Sequence, residues 1–186
     1  LTQGGANWSD TTETLYEIVG YLDPSDINLE LQYAMDEEFI SWLIPWAPLL
    51  TDGDMETSGT TNWTGNMGTL SKVTTAARVF SGTQSLRCQS SGASQYIEGT
   101  SVRVDPLDDI WISSMVQCDV GTATLRLYDS TNAAYFGNDP AHSREGFQRL
   151  WQQYKVPTDC EFITPRIVAT GATDDFYVDH VILYIL

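Results

Sequence analysis

The chain has 186 residues, 42% of them apolar, which is enough for one domain with a proper core, or one domain plus a small appendage. Its formal charge is −16, from 25 acidic against 9 basic residues, and such a surface repels phosphate backbones and anionic headgroups, so no nucleic acid and no membrane are expected as partners. No run of 18 apolar residues reads as a membrane-spanning helix, and calcium and neutral sugars remain compatible with the charge.

Residues 1–48 read as a short helical or extended segment, and a start at Leu1 suggests a processed or truncated product. Leu15, Ile18, Val19 and Leu22 recur at helical spacing behind a capping pair, Asp10 and Glu13. Asp23-Pro24 is a second start signal. From Ile27 to Tyr33 helix and strand both fit. EFISWLIPWAPLL then concentrates apolar residues, and Phe39, Trp42, Leu43, Ile44 and Trp46 are the candidate assembly contacts. Pro45 and Pro48 end any helix and hold WAPLL extended.

After residue 49 the period switches to two. Alternating runs between Gly, Asp and Pro turns predict strands near 49–55, 69–75, 84–90, 94–104, 109–120, 122–130, 147–157, 161–170 and 175–185. Strands without intervening helices predict a mainly β protein, a jelly-roll β-sandwich over 49–186 with the 1–48 extension before it.

Alternation also assigns faces. Ile110, Ile112, Val116, Cys118 and Val120 form one core set, Leu125 and Leu127 a second, and Leu150, Tyr154 and Val156 a third. Out of phase with these lie Trp111, Arg126, Tyr128, Arg149, Trp151 and Gln153. We expect them on one outer sheet face, where aromatic rings, Arg and Gln suit either a glycan or a protein interface. Cys88, Cys118 and Cys160 show no close metal-ligand spacing and read mostly as buried free thiols.

Little speaks for catalysis. His142 and His180 sit in unlike contexts, no nucleophile-elbow, HExxH or phosphate-loop motif occurs, and the pairs Asp108–Asp109 and Asp174–Asp175 read as solvated turns. The chain is therefore expected not to be an enzyme. Two sequons, at Asn7 and Asn62, mark glycan acceptors only if the protein is secreted from a cell that uses them.

Four stretches in order resemble the carbohydrate-binding-module-like, galactose-binding-like sandwiches of glycoside hydrolases and phage virion proteins. They are LLTDGDMETSGTTNWT, ARVFSGTQSLRC, VRVDPLDDIWISSMVQCDV, and FQRLWQQYKVP followed by TGATDDFYVDHVIL. The resemblance implies a structural calcium ion tying the first strand to the last, through Asp54 or Glu56, Asp179 and carbonyls near Ser81–Thr83. His180 departs from the second acid common there.

Two functions follow. The first is a non-enzymatic structural, decoration or adhesion component of a virion (capsid or tail) or other extracellular assembly, joined to copies of itself or to capsid or tail proteins through residues 1–48. The second is a carbohydrate-binding module of a secreted polysaccharide-degrading enzyme. Glycans are a candidate partner under both.

Overall fold

The computed structural model describes residues 49–186. The helical reading of 1–48, the domain boundary there, and the assembly residues Phe39, Trp42, Leu43, Ile44 and Trp46 lie outside the described residues. Within 49–186 the protein is mainly β, two antiparallel sheets packed face to face with one three-residue 3-10 turn at Ala76–Arg78.

The strands are β1 (Thr64–Gly65), β2 (Thr69–Val73), β3 (Ser85–Gln89), β4 (Tyr96–Glu98), β5 (Val102–Arg103) and β6 (Asp109–Val120). They continue as β7 (Ala123–Asp129), β8 (Ala134–Phe136), β9 (Ala141–His142), β10 (Gln148–Lys155), β11 (Phe162–Ala169) and β12 (Asp175–Ile185). One sheet runs β10-β6-β12-β3-β2. The other runs β1-β4-β11-β7-β8, with β5 also on β11 and β9 also on β7.

The long strands turn alternate residues into the core, and in β6 and β11 most residues of the other face are buried as well. Ile110, Ile112, Val116 and Cys118 of β6 meet Leu125 and Leu127 of β7 and Ile163 and Ile167 of β11 in a single core with Phe176 and Leu183 of β12. Val120, expected in that core, is 53% exposed where β6 runs out into the turn. Tyr154 is 42% exposed at the sheet edge rather than in the core, and Gln152 takes the buried place instead. All three cysteines are free and buried, as expected. Burial lifts the thiol of Cys118 to about 11 and that of Cys160 to about 12, so both stay protonated.

Pro165 sits inside β11, where a proline would remove a ladder bond. Here β11 changes partner, from β5 at residues 162–163 to β4 at 166–168. The Pro165 carbonyl accepts from Gly99 N–H at 3.1 Å, so its missing N–H would point into the gap between the two short strands.

Residues 49–55 form turns rather than the expected strand, and Leu50 and Met55 of this stretch are buried in the core. Asp52 is buried and bonds Lys72 Nζ at 2.9 Å; its other oxygen accepts from Thr57 N–H at 2.7 Å. The indole of Trp63 is 1% exposed and donates to the Asp52 carbonyl at 2.9 Å. The long expected strand at 94–104 is split into β4 and β5. The acid pairs are not all solvated: Asp174 is buried, holding Gly171 N–H at 2.7 Å, while Asp175 forks onto Arg87.

Candidate functional site

The outer face of the seven-stranded sheet is built by residues out of phase with the core. On β11 that residue is Arg166, opposite Glu98 on β4 and Arg126 on β7. Tyr128 of β7 lies opposite Tyr135 of β8, and Tyr96 of β4 opposite Val168 of β11.

Arg166 is the centre of the face. Its guanidinium carbon lies 3.3 Å from the Tyr128 ring centroid, 4.0 Å from Tyr96 and 5.6 Å from Tyr135. Nε and Nη2 fork onto Glu98 Oε2 at 2.8 and 2.7 Å, and Nη1 donates to the Tyr135 hydroxyl at 3.3 Å. Burial pulls the guanidinium pKa down, but the bonds to Tyr135 and Glu98 outweigh it and the net shift is upward. Arg126 forks onto Asp139 and lies 4.4 Å from the Tyr135 centroid, and its hydrogen bonds to Asp139 are the main reason its pKa rises. Tyr128 and Tyr135 meet edge to face at 5.2 Å.

The arrangement is a pre-positioned set of rings and forks. Each cation has its own carboxylate, so two neighbouring guanidinium groups coexist and the face carries little net charge. Tyr135, 39% exposed, offers a ring face and a hydroxyl. Planar rings fit the C–H faces of sugars, and paired Arg and carboxylate groups hydrogen-bond hydroxyls.

Of the six expected ligand residues, the structure brings only Arg126 and Tyr128 here. Trp111, Arg149, Trp151 and Gln153 belong to β6 and β10 of the five-stranded sheet, so they lie on the opposite outer face. There Trp111 opposes Gln153, Trp151 opposes Ser113, and Trp111 packs on Tyr184 at 5.9 Å. Trp151 is 57% exposed, Trp111 is half-buried and Arg149 is buried. The single expected face is thus two faces, because alternation tells which residues share a side of their own strand but not which strands share a sheet. The same limit hid Tyr96, Glu98, Tyr135, Asp139 and Arg166. All but Asp139, which lies in a loop, flank a core residue on their strand, and that signal was legible in YIE and FITPRIVA.

The expected cation ligands also find places. Asp54 is exposed and accepts from Glu56 N–H at 3.3 Å. Glu56 accepts from Thr83 N–H at 2.9 Å, Gln84 N–H at 3.1 Å and the Thr83 hydroxyl, which lower its pKa, the Thr83 hydroxyl most. Asp179 is fully buried on β12; Oδ2 accepts from Phe80 and Ser81 N–H at 2.9 and 3.1 Å, while Oδ1 has no partner. Burial raises its carboxyl to about 6. Next to it His180 adopts φ 52 in a bulge between Asp179 and Ile182. Among the described residues no three His, Cys, Asp or Glu side chains come together as metal ligands, so any cation here would rest on Glu56, Asp179 and backbone oxygens.

No protein-family model matches the sequence, and no curated protein matches it. Solved structures match in fold. The enzymatically active domain of tailspike protein 4 from bacteriophage CBA120 superposes with a TM-score of 0.60 at 12% identity. That match covers 77% of this chain and 22% of the tailspike chain, so the chain spans about a fifth of that protein. A family 61 carbohydrate-binding module in complex with β-1,4-galactotriose gives 0.53 at 18% identity, covering 76% of this chain and 100% of the module. A family 22 xylan-binding domain from Paenibacillus barcinonensis gives 0.53 at 18% identity, covering 71% of this chain and 90% of that one. The protein therefore has a carbohydrate-binding-module-like β-sandwich, the fold that its motif order implied. Among the described residues no helix is long and apolar enough to cross a membrane.

Proposed function

We propose that this is a non-catalytic glycan-binding sandwich of an extracellular assembly such as a phage tail or capsid, and that it binds sugar on the outer face of the seven-stranded sheet. The observation that carries the reading is Arg166, fixed among Tyr96, Tyr128 and Tyr135 and already neutralised by Glu98. A face ordered before a ligand arrives loses little side-chain entropy on binding. The tailspike neighbour supports the virion setting, and the modules named for galactotriose and xylan support the sugar. The xylan-binding neighbour also favours a second reading, an accessory module of a secreted polysaccharide-degrading enzyme. Both readings use the same face.

The test is titration with neutral β-1,4-galacto- and xylo-oligosaccharides. Tyr135→Ala is expected to weaken binding by about tenfold, roughly 1.4 kcal/mol, and to cost about 1 kcal/mol of stability through its lost contacts with Arg126, Tyr128 and Arg166. Trp151→Ala is expected to leave it intact. Loss through Trp151 rather than Tyr135 would move the site to the other sheet.

A structural calcium ion is part of this proposal. The unpartnered Oδ1 of buried Asp179 motivates it, and Glu56 and Asp179 would hold the ion with carbonyls of the 80–84 turn and water, since calcium takes six to eight oxygens. Its role there is to tie that turn to β12, not to take part in any reaction.

A further inference from the structure

We propose that Glu98 and Asp139 make the tyrosine–arginine face selective for uncharged glycans, turning away chains that carry a uronate or another acidic group. This rests on the sugar reading above and deepens it, by naming the class of sugar and the two residues that choose it.

Each guanidinium group of the face is less exposed than the carboxylate that holds it. The side chain of Arg166 is 10% exposed against 26% for Glu98, and that of Arg126 is 30% exposed against 41% for Asp139. A ligand arriving from water therefore meets the carboxylates at least as readily as the cations.

The donor edges of the cations are also occupied. Arg166 directs Nε and Nη2 to Glu98 and Nη1 to the Tyr135 hydroxyl, with the Tyr128 and Tyr96 ring centroids 3.3 and 4.0 Å from its guanidinium carbon. Arg126 directs Nε and Nη2 to Asp139 and lies 4.4 Å from the Tyr135 centroid. A sugar carboxylate that leaves water needs charge-assisted donors of this kind in return. On this face the Nε–Nη2 edge of both arginines already serves a carboxylate of the protein.

Hydroxyl groups fare differently. Ionised carboxylates only accept hydrogen bonds, and a hydroxyl can donate to them through the lone pairs that the arginines leave over. A uronate has no proton to give, and it adds a third negative charge beside Glu98 and Asp139. A repulsive element of that kind sets specificity by weakening the wrong ligand. A third arginine, the exposed Arg103, lies opposite Phe162. Phe162 is four residues from Arg166 on β11, roughly 13 Å along the strand, and exposed charges so far apart are screened at physiological salt, where the Debye length is about 8 Å. Arg103 therefore does not offset the two carboxylates.

The test uses three ligands on the full chain at neutral pH. The first is the linear β-1,4-xylo- or galacto-oligosaccharide that binds better. The second is the same oligosaccharide with one glucuronate branch, and the third carries that branch as its methyl ester, which keeps the bulk and removes the charge. The quantity read by calorimetry is the ratio of the acid's Kd to the ester's within each protein. Wild type is expected to bind the acid about tenfold or more weakly than the ester, and added salt is expected to narrow that gap. Asp139→Asn and Glu98→Gln each remove one charge at nearly constant shape, and each is expected to narrow the gap whatever happens to the absolute affinities, with melting curves to show that the variants are folded. Equal affinity of wild type for acid and ester overturns the proposal. So does a gap that salt does not narrow, a result that needs no variant. So does a gap that both variants leave unchanged, which would assign the exclusion to the overall charge of −16. Failure of the linear chains themselves to bind overturns the sugar reading, and this proposal with it.

Discussion

Asp52 and Lys72 face each other in a place with almost no water; their side chains are 0% and 8% exposed. Lys72 also donates to the Met55 carbonyl. Replacing Lys72 with Met strands a buried carboxylate, so Lys72→Met is expected to cost about 3–5 kcal/mol in a denaturant titration; a cost below 1 kcal/mol would show that water reaches Asp52. Asp179 is the opposite case, a buried carboxyl with one oxygen unsupported. Its pKa of about 6, against the usual 3.8, means that the folded state holds its proton more tightly than the unfolded chain. The stability tied to that proton is complete below pH 4 and is lost as pH rises through about 6. Without added metal, Asp179→Asn is therefore expected to melt with wild type at pH 4 but several degrees above it at pH 7.5, since the amide keeps an acceptor for Phe80 and Ser81 without the charge. Calcium is expected to raise the melting temperature of wild type at pH 7.5 and leave Asp179→Asn unmoved, because an ion bound only by the folded state stabilises by mass action. Equal melting of both proteins at pH 7.5, with and without calcium, would remove the cation from the account.

At the scale of elements, the bulge in β12 explains why the opening turn sits where it does. Between Asp179 and Ile182 the register with β6 breaks, and Val181 N–H turns instead to the Gly53 carbonyl at 2.7 Å. A Cβ on Gly53 would lie 2.4 Å from the Val181 carbonyl oxygen, a backbone atom that cannot step aside. Gly53→Ala is expected to destabilise by about 2–3 kcal/mol, which a thermal melt will show. The long strands β2, β3, β6, β7, β10, β11 and β12 were legible from alternation within a few residues. The stretch 49–55 was not: its leucines and Met55 suggested a strand, yet burial of Asp52 by Lys72 favours a turn that no local pattern reports. The strands β1, β8 and β9 are too short to show a period at all. The candidate site was half legible for the same reason. Arg126 and Tyr128 were out of phase with Leu125 and Leu127, but their neighbours Tyr96, Glu98 and Arg166 arrive through pairing of β7, β11 and β4, which joins segments far apart in sequence.

At the scale of the whole molecule, segment 74–84 has a cost and a use. It crosses the outer face of the five-stranded sheet: Arg78 pairs with Asp119 at 2.7 Å and lies 5.1 Å from the Tyr177 ring, and Phe80 packs on Phe147 at 5.8 Å. That is why Met115 and Gln117, which point away from the core, are nevertheless buried. Among the described residues, Trp151 on the β10 side is the large ring of that face left in water. Trp151→Ala is accordingly expected to change stability by less than about 0.5 kcal/mol, whereas Trp63→Ala, in the core, is expected to cost about 3–5 kcal/mol. Similar losses at both positions in parallel unfolding curves would mean that Trp151 is packed after all.

The tyrosine–arginine face is assembled from β4, β7, β8 and β11, strands brought together by sheet pairing rather than by nearness in sequence. Such a face exists only while the sheet is intact, so a sugar held there would act as a clamp on the fold. Ligand bound only by the folded state stabilises by mass action, and an oligosaccharide that occupies the face is expected to raise the melting temperature in step with its concentration.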